Sequence, residues 1–199
     1  MKTITDIAKL EALYGAAVPT SLAKVMTRLT PLYRQWIEAA RFVVLTTVGP
    51  EGTDASPRGD DGPVVRIVDD STLMMPDWRG NNRIDSLRNI VRDGRVSLMF
   101  MVPGAGNVVR INGTAVLSDD PKVTRTFEQR GKHPKSVIVV STKEVYFQCA
   151  KAIMRSGLWT RDDAEGLPKA GDFITDVLPE FDGKTYDAEY PVKAKERMW

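Results

Sequence analysis

The chain has 199 residues, 42% hydrophobic and 27% charged, which is enough for one sizeable core and ordinary for a globular protein. Lys and Arg number 28 against 26 Asp and Glu, with the signs interspersed and a formal charge of +2, so no general nucleic-acid affinity is implied. One cysteine, Cys149, excludes an intrachain disulfide framework and a cysteine-built metal cluster. No apolar run approaches the roughly 20 residues of a membrane span, and the start lacks a signal-type apolar region; the expectation is a soluble, cytoplasmic protein.

A single domain is expected, in three stretches: a helical segment over 1–40, a body of strands and helices over 41–157, and an arm over 158–199. In the first stretch Leu29, Leu32, Tyr33, Trp36 and Ile37 share a helical face, with Pro31 near its start. Short strands follow at 41–48, 53–57, 64–68 and 72–75, separated by the turns Gly49-Pro50-Glu51-Gly52 and Asp69-Asp70-Ser71, which favour antiparallel hairpins. A helix is predicted over 82–93, stopped by Gly94, then strands over 95–102 and 108–117. Asp119-Asp120-Pro121 opens a further helix ending near Gly131. The last apolar strand is 136–140. Ser141-Thr142-Lys143-Glu144 has capping-box spacing and predicts a helix ended by Gly157, placing Cys149 in its packed face. From 160 on, the chain is rich in Pro, Gly, Asp and Lys and reads as an arm with a frayed end over 193–199. The strand count suggests a small closed barrel flanked by helices.

The segment Pro76-Asp77-Trp78-Arg79-Gly80-Asn81-Asn82-Arg83 joins an apolar strand to a helix through a loop of Gly, Asn and Arg. At a helix N-terminus the first N–H groups lack intrahelical partners and the peptide dipoles leave a partial positive charge. A phosphate there meets donors and the side chains of Arg79 and Arg83. An ordinary Asn-capped helix with solvated arginines reads the same segment equally well. Neither a G-x-G-x-x-G nor a G-x-x-x-x-G-K-[ST] pattern is present, which removes the usual Rossmann and P-loop signals. His133, the one histidine, sits in a Gly-Lys-His-Pro-Lys loop and reads as a surface residue; no Ser-His-Asp or Cys-His arrangement with a second histidine can be built.

Several separated motifs occur in a fixed order: Ala55-Ser56-Pro57-Arg58-Gly59-Asp60, Leu73-Met74-Met75-Pro76-Asp77, Gly80-Asn81-Asn82-Arg83 with Asp85-Ser86-Leu87-Arg88-Asn89-Ile90, Val109-Arg110-Ile111-Asn112-Gly113, and Cys149-Ala150-Lys151-Ala152 followed by Arg155-Ser156 and Leu158-Trp159. Together they resemble the FMN-binding split barrels related to pyridoxamine 5'-phosphate oxidase, in particular a subgroup of uncharacterised FMN-binding members, over about 41–160. The resemblance implies a mainly β, antiparallel, Greek-key split barrel with flanking helices. It also implies a homodimer with two FMN sites at the interface, each built from both chains.

Carried onto this sequence, the resemblance puts Asn81, Asn82 and Arg83 in place of the family's Ser-Arg-Lys phosphate grip, with Arg79 compensating for the cation that Asn82 replaces. Met75, Pro76 and Asp77 would run beside the isoalloxazine and ribityl parts, and Arg66 falls near the family's strand lysine. Arg58 would approach the pyrimidine edge; an Arg58–Asp60 surface pair contributing about 0–1 kcal/mol is the plainer alternative. Arg110 and Asn112, on one face by the period of two, would reach the partner's flavin, or simply form a polar outer barrel face. Trp159 would stand near the ring, or serve as a packing anchor.

The function implied is an FMN-dependent oxidoreductase acting on a small organic substrate, with NAD(P)H as a candidate electron donor. The side chains would hold the ring and shape the pocket. Authentic pyridoxamine phosphate oxidase activity is disfavoured, because the tail carries Arg161 and Arg197 but no Arg-x-His motif. A flavin-binding sensor, carrier or store without turnover is the alternative, and a barrel holding haem or a deazaflavin is a third.

Overall fold

The computed structural model describes residues 1–199. Three N-terminal helices, α1 (Ile7–Tyr14), α2 (Pro19–Ala23) and α3 (Pro31–Ala39), precede the strands. Proline opens both α2 and α3, where its missing N–H costs nothing, and the Thr30 side chain caps α3 through the Tyr33 N–H. Ile37 of α3 is fully buried, whereas the apolar residues of α1, such as Ile7 and Leu13, stay exposed.

Seven strands follow: β1 (Phe42–Gly49), β2 (Gly52–Gly59), β3 (Arg66–Ile67), β4 (Thr72–Asp77), β5 (Arg95–Met101), β6 (Val108–Ser118) and β7 (Ser136–Gln148). They form one sheet in the order β2-β1-β5-β6-β7-β4-β3, with every neighbouring pair antiparallel. The edge strands β2 and β3 do not pair, so the expected closed barrel is corrected to an open one. This matches the split barrel that the motifs imply: a mainly β fold with flanking helices. Alternation buries Val43 and Leu45 of β1, Val96, Leu98 and Phe100 of β5, Ile111 of β6, and Leu73 and Met75 of β4 in one core.

The longest ladder, β6 against β7, corrects a second expectation. The Ser141 to Glu144 stretch continues β7 instead of starting a helix, because Val145 pairs with Ile111 and, on its other side, bridges Met26. A capping box is a local signal; cross-strand burial of Val145 outweighs it. The register slips between Asn112 and Gly113. A Cβ on Gly113 would lie 2.1 Å from the Ser141 carbonyl oxygen, so glycine is required at this bulge.

α4 (Asp85–Arg92) follows β4 and packs across β1 and β6, with Ile90 buried. Asn89 donates to the Thr47 hydroxyl at 3.1 Å, and the Ser86 hydroxyl donates to the Asp54 carboxylate. These two bonds fix α4 against the β1–β2 hairpin. The helix predicted to run to Gly131 is only α5 (Pro121–Thr124), capped by Asp120 as expected. Beyond it, Arg130 and Gly131, both at positive φ, turn the chain so that Gln129 and Lys132 bridge each other. α6 (Lys151–Ser156) is short and ends at Gly157 in the left-handed region, as predicted. Cys149 precedes it and is exposed, not packed.

The arm contains two helices that the composition did not announce, α7 (Ala170–Val177) and α8 (Gly183–Arg197). They meet at Gly171 and Gly183, where a Cβ on either residue would come within 2.4 Å of the other's carbonyl oxygen. The tail is anchored: Trp199 is 8% exposed. No helix is long and apolar enough to cross a membrane.

Candidate functional site

A cavity of about 900 Å³ opens between the end of β2, the end of β4, the loop leading into α4, the Lys132–Lys135 loop and the last two residues. Its position follows from the ladder. β3 pairs only with Leu73 and Met74, so the Met75–Asp77 end of β4 has β7 as its sole neighbouring strand. Pro76, lacking an N–H, is tolerated at such a half-open end. The chain then leaves the sheet towards Gly80 and returns as α4.

Seven residues singled out in the sequence line this cavity: Arg58, Met75, Pro76, Asp77, Arg79, Asn81 and Asn82. Arg58 pairs with Asp77, its Nη1 donating at 2.5 Å, with the two side chains 21% and 18% exposed. The plainer Arg58–Asp60 pair is therefore not formed. The Arg58 Nε–H is buried and has no acceptor, an unusual state for a guanidinium on the wall of a cavity. Asp60 instead accepts from the Trp78 indole N–H at 2.6 Å and from the Gln129 amide at 2.8 Å.

α4 begins at Asp85, three residues later than predicted. Its N-cap is Ile84, in the left-handed region and without a side-chain cap. Asn82 also has positive φ, which Asn tolerates better than most residues. The Asn81 side chain accepts from the Arg83 N–H at 3.0 Å and shapes the turn. Ile84 and Leu87 border the cavity, so the uncapped first turn of α4 lies at its edge.

The other five predicted residues are not on this chain's cavity wall. Arg83 is exposed and its Nε donates to Asp85 at 2.9 Å, so it serves its own helix start. Arg66 lies 4.0 Å over the Phe127 ring and donates to the Thr126 hydroxyl and carbonyl, tying β3 to the segment after α5. Arg110, beside the Tyr146 ring and Gln148, and Asn112, donating to Glu144, occupy the outer face of the β6–β7 ladder. Trp159 donates its indole N–H to the Ala105 carbonyl at 2.8 Å, away from the cavity.

Sequence reasoning missed Trp78, Lys132 and Trp199, and put His133 at the surface without a neighbouring site. Trp199 packs edge-on to Trp78, ring centroids 5.5 Å apart, and its backbone oxygen accepts from Lys132 at 3.0 Å. His133 is exposed, as expected, but borders the cavity and donates from Nδ1 to the Phe127 carbonyl at 2.6 Å. Only a paired-tryptophan hint at positions 78 and 199 could have signalled this contact, and their separation in sequence hides it. The site thus combines apolar walls, the side-chain cations of Arg58, Arg79, Lys132 and Lys135, and free backbone donors. Such a surface suits a flat, phosphorylated ligand.

The comparisons with known proteins agree with this architecture. The family model of pyridoxamine 5'-phosphate oxidase matches residues 29–149. The fold resembles the crystal structure of a single-substitution variant of HupZ from Group A Streptococcus, with a TM-score of 0.51, 18% identity, and coverage of 62% of this chain and 100% of that one. General Stress Protein 26 from Bacillus anthracis is similar at a TM-score of 0.44 and 17% identity over 57% of this chain and 88% of that one. An F420 reductase is similar at 0.43 and 16% identity over 60% and 98%. No curated protein matches the chain. Because the family model spans more than half of the sequence, including the strands and the loop that form the cavity, this protein belongs to the pyridoxamine 5'-phosphate oxidase family.

Proposed function

We propose that the protein is an FMN-dependent oxidoreductase acting on a small organic substrate, with residues 1–199 forming one domain and the chain acting as a homodimer. Members of this family often bind flavins and act as oxidoreductases. The observation that carries the reading is the cavity itself. It gathers Arg58 with its unpartnered Nε–H, Arg79, Asn81, Asn82 and an uncapped helix start around one space large enough for a flavin mononucleotide.

The residues fit the group in kind. A phosphate needs cations and N–H donors, which Arg79, the Asn81 and Asn82 amides and the first turn of α4 offer. A flat ring needs apolar cover and edge donors, which Met75, Pro76, Leu87 and Arg58 offer. When bound, FMN would supply hydride and electron transfer, and the side chains would orient it and exclude water. Arg58 next to the ring would favour its reduced, anionic form by charge. Arg110 and Asn112 do not line this chain's cavity, and we assign them a role towards a partner's flavin across a two-fold interface.

The test is to load the purified protein with FMN, remove excess, and add NADPH or NADH without oxygen. Retained flavin absorption near one FMN per chain, followed by bleaching and by recovery with an added acceptor, supports the oxidoreductase. Retained flavin that no reductant bleaches would favour a flavin carrier or sensor, and no retained flavin would overturn the reading.

A further inference from the structure

The α7–α8 hairpin is joined to the rest of the molecule by very little. Its connection from α6, residues 161–169, is exposed throughout and turns at Gly166, which has positive φ. The one buried residue of α7 is Gly171 and that of α8 is Gly183, and these two glycines pack on each other, not on the sheet. Phe173 and Val177 of α7 and Val192 of α8 stay exposed. Between α8 and the loop Arg79–Asn81 lies an open gap of about 680 Å³, where a docked helix would be close-packed. From residues 169–199 to residues 1–160 a single hydrogen bond runs, Lys132 Nζ donating to the Trp199 backbone oxygen at 3.0 Å. One side chain is the exception to this loose attachment. Trp199 is 8% exposed, stands edge-on to Trp78 and lines the first cavity.

We propose that the α7–α8 hairpin is a lid on the first cavity, latched by Trp199 and drawn shut by an occupant that accepts the Trp199 indole N–H. That N–H is buried and has no acceptor. A buried donor left unpaired opposes the contact that buries it, so in the empty protein ring packing against Trp78 holds the latch against an unmade bond. An occupant presenting an oxygen or a ring nitrogen makes that bond only while the lid is shut. By linkage it favours the shut state, and the shut lid slows its escape. Helices of eight and fifteen residues with no packed face are marginal on their own, so α7 and α8 unfold readily once Trp199 is released. The latch follows from this chain's own packing, whereas its closure on FMN rests on the flavin reading above.

The experiment is hydrogen–deuterium exchange of the full chain, with and without FMN, on wild type, Trp199→Ala and Trp199→Phe. The amides of α7 and of α8 up to Tyr190 read the lid, because none of these residues lines the first cavity and a ligand there cannot shield them directly. Exchange in β5 and β6 should be the same in all three proteins, which shows that the body is folded. Without FMN, the lid amides of Trp199→Ala should exchange at least about ten-fold faster than those of wild type, since the one buried anchor is gone. Trp199→Phe keeps a ring against Trp78 but no N–H. FMN should slow the lid amides of wild type about three-fold or more and leave those of Trp199→Phe unslowed, the difference being one hydrogen bond. Lid exchange in Trp199→Ala equal to wild type overturns the latch. Bound FMN that leaves the wild-type lid unchanged, or slows it equally in Trp199→Phe, overturns closure on the occupant. If wild type retains no FMN, the flavin reading falls by itself, and the ligand-free comparison with Trp199→Ala still upholds or overturns the latch.

Discussion

Replacing Arg58 with methionine removes the cation from the cavity wall and leaves the Asp77 carboxylate largely shielded and unpaired. The Arg58 and Asp77 side chains are 21% and 18% exposed, so the pair lies between two regimes. Exposed pairs contribute about 0–1 kcal/mol, and breaking a buried pair costs about 3–5 kcal/mol. A loss of about 2 kcal/mol follows, which lowers the melting temperature of a chain of this size by about 4–8 °C. Adding Asp77→Asn removes the stranded charge and should restore most of that loss, because deleting both charges is far less costly than deleting one. FMN affinity should not return with it. The Arg58 Nε–H that lacks an acceptor is gone in both proteins, and we expect binding at least about ten-fold weaker than wild type in each. Circular-dichroism melts and flavin fluorescence titrations read the two quantities independently. A single variant that melts within about 1 °C of wild type refutes the magnitude argument. A double variant with wild-type FMN affinity refutes direct contact by Arg58.

Gly113→Ala should destabilise the β6–β7 ladder by about 2 kcal/mol or more, because the new Cβ meets the Ser141 carbonyl oxygen at 2.1 Å; chemical denaturation measures it, and an unchanged midpoint would contradict the bulge geometry. Asp69 accepts hydrogen bonds from the Ser71 N–H and hydroxyl and from the Thr72 N–H, and the first of these leads in holding its carboxyl below the usual carboxylate range. A depressed folded-state value stabilises above the unfolded value and is lost as pH falls through the folded one. Asp69→Asn should therefore melt below wild type at neutral pH, with the gap closing as pH drops below about 4. Arg110→Glu on the outer face should convert a sedimenting dimer to monomer and release FMN; a variant that stays dimeric and fully loaded contradicts the trans assignment.

What could be read from the sequence was local or periodic. The strands of β1, β2, β4, β5 and β6, the Asp120 cap and the Gly157 stop follow from alternation and turn chemistry within a few residues. That residues between Met75 and Asn82 share one cavity wall was legible because the loop and its flanking strand are contiguous. The errors lie where distant chain decides. Val145 stays in a strand because Ile111 and Met26 hold it there, against the capping-box spacing at Ser141. Arg83 departs from that pattern: its Nε–H goes to Asp85, two residues on, a local contact that follows from the late start of α4. Trp199 closes the cavity against Trp78 from the far end of the chain, and no spacing rule reaches that far. The helices α7 and α8 are hidden by a Pro-, Gly- and Lys-rich composition, and their close approach at Gly171 and Gly183 shows why those glycines are there.

The central claim is that the cavity beside the Asn81–Asn82 turn holds the phosphate end of FMN. The most direct measurement is the visible absorption spectrum of wild type and Asn82→Asp after FMN addition and desalting. Aspartate tolerates the positive φ of residue 82 and changes little but charge. A carboxylate about 6 Å from a phosphate charge costs about 0.7–3 kcal/mol per charge pair between solvent-like and surface-like screening, or several-fold to about a hundred-fold in affinity. The account predicts close to one FMN per wild-type chain and little or none in the variant, with equal melting temperatures without flavin. A colourless wild type, or a variant as yellow as wild type, would contradict it.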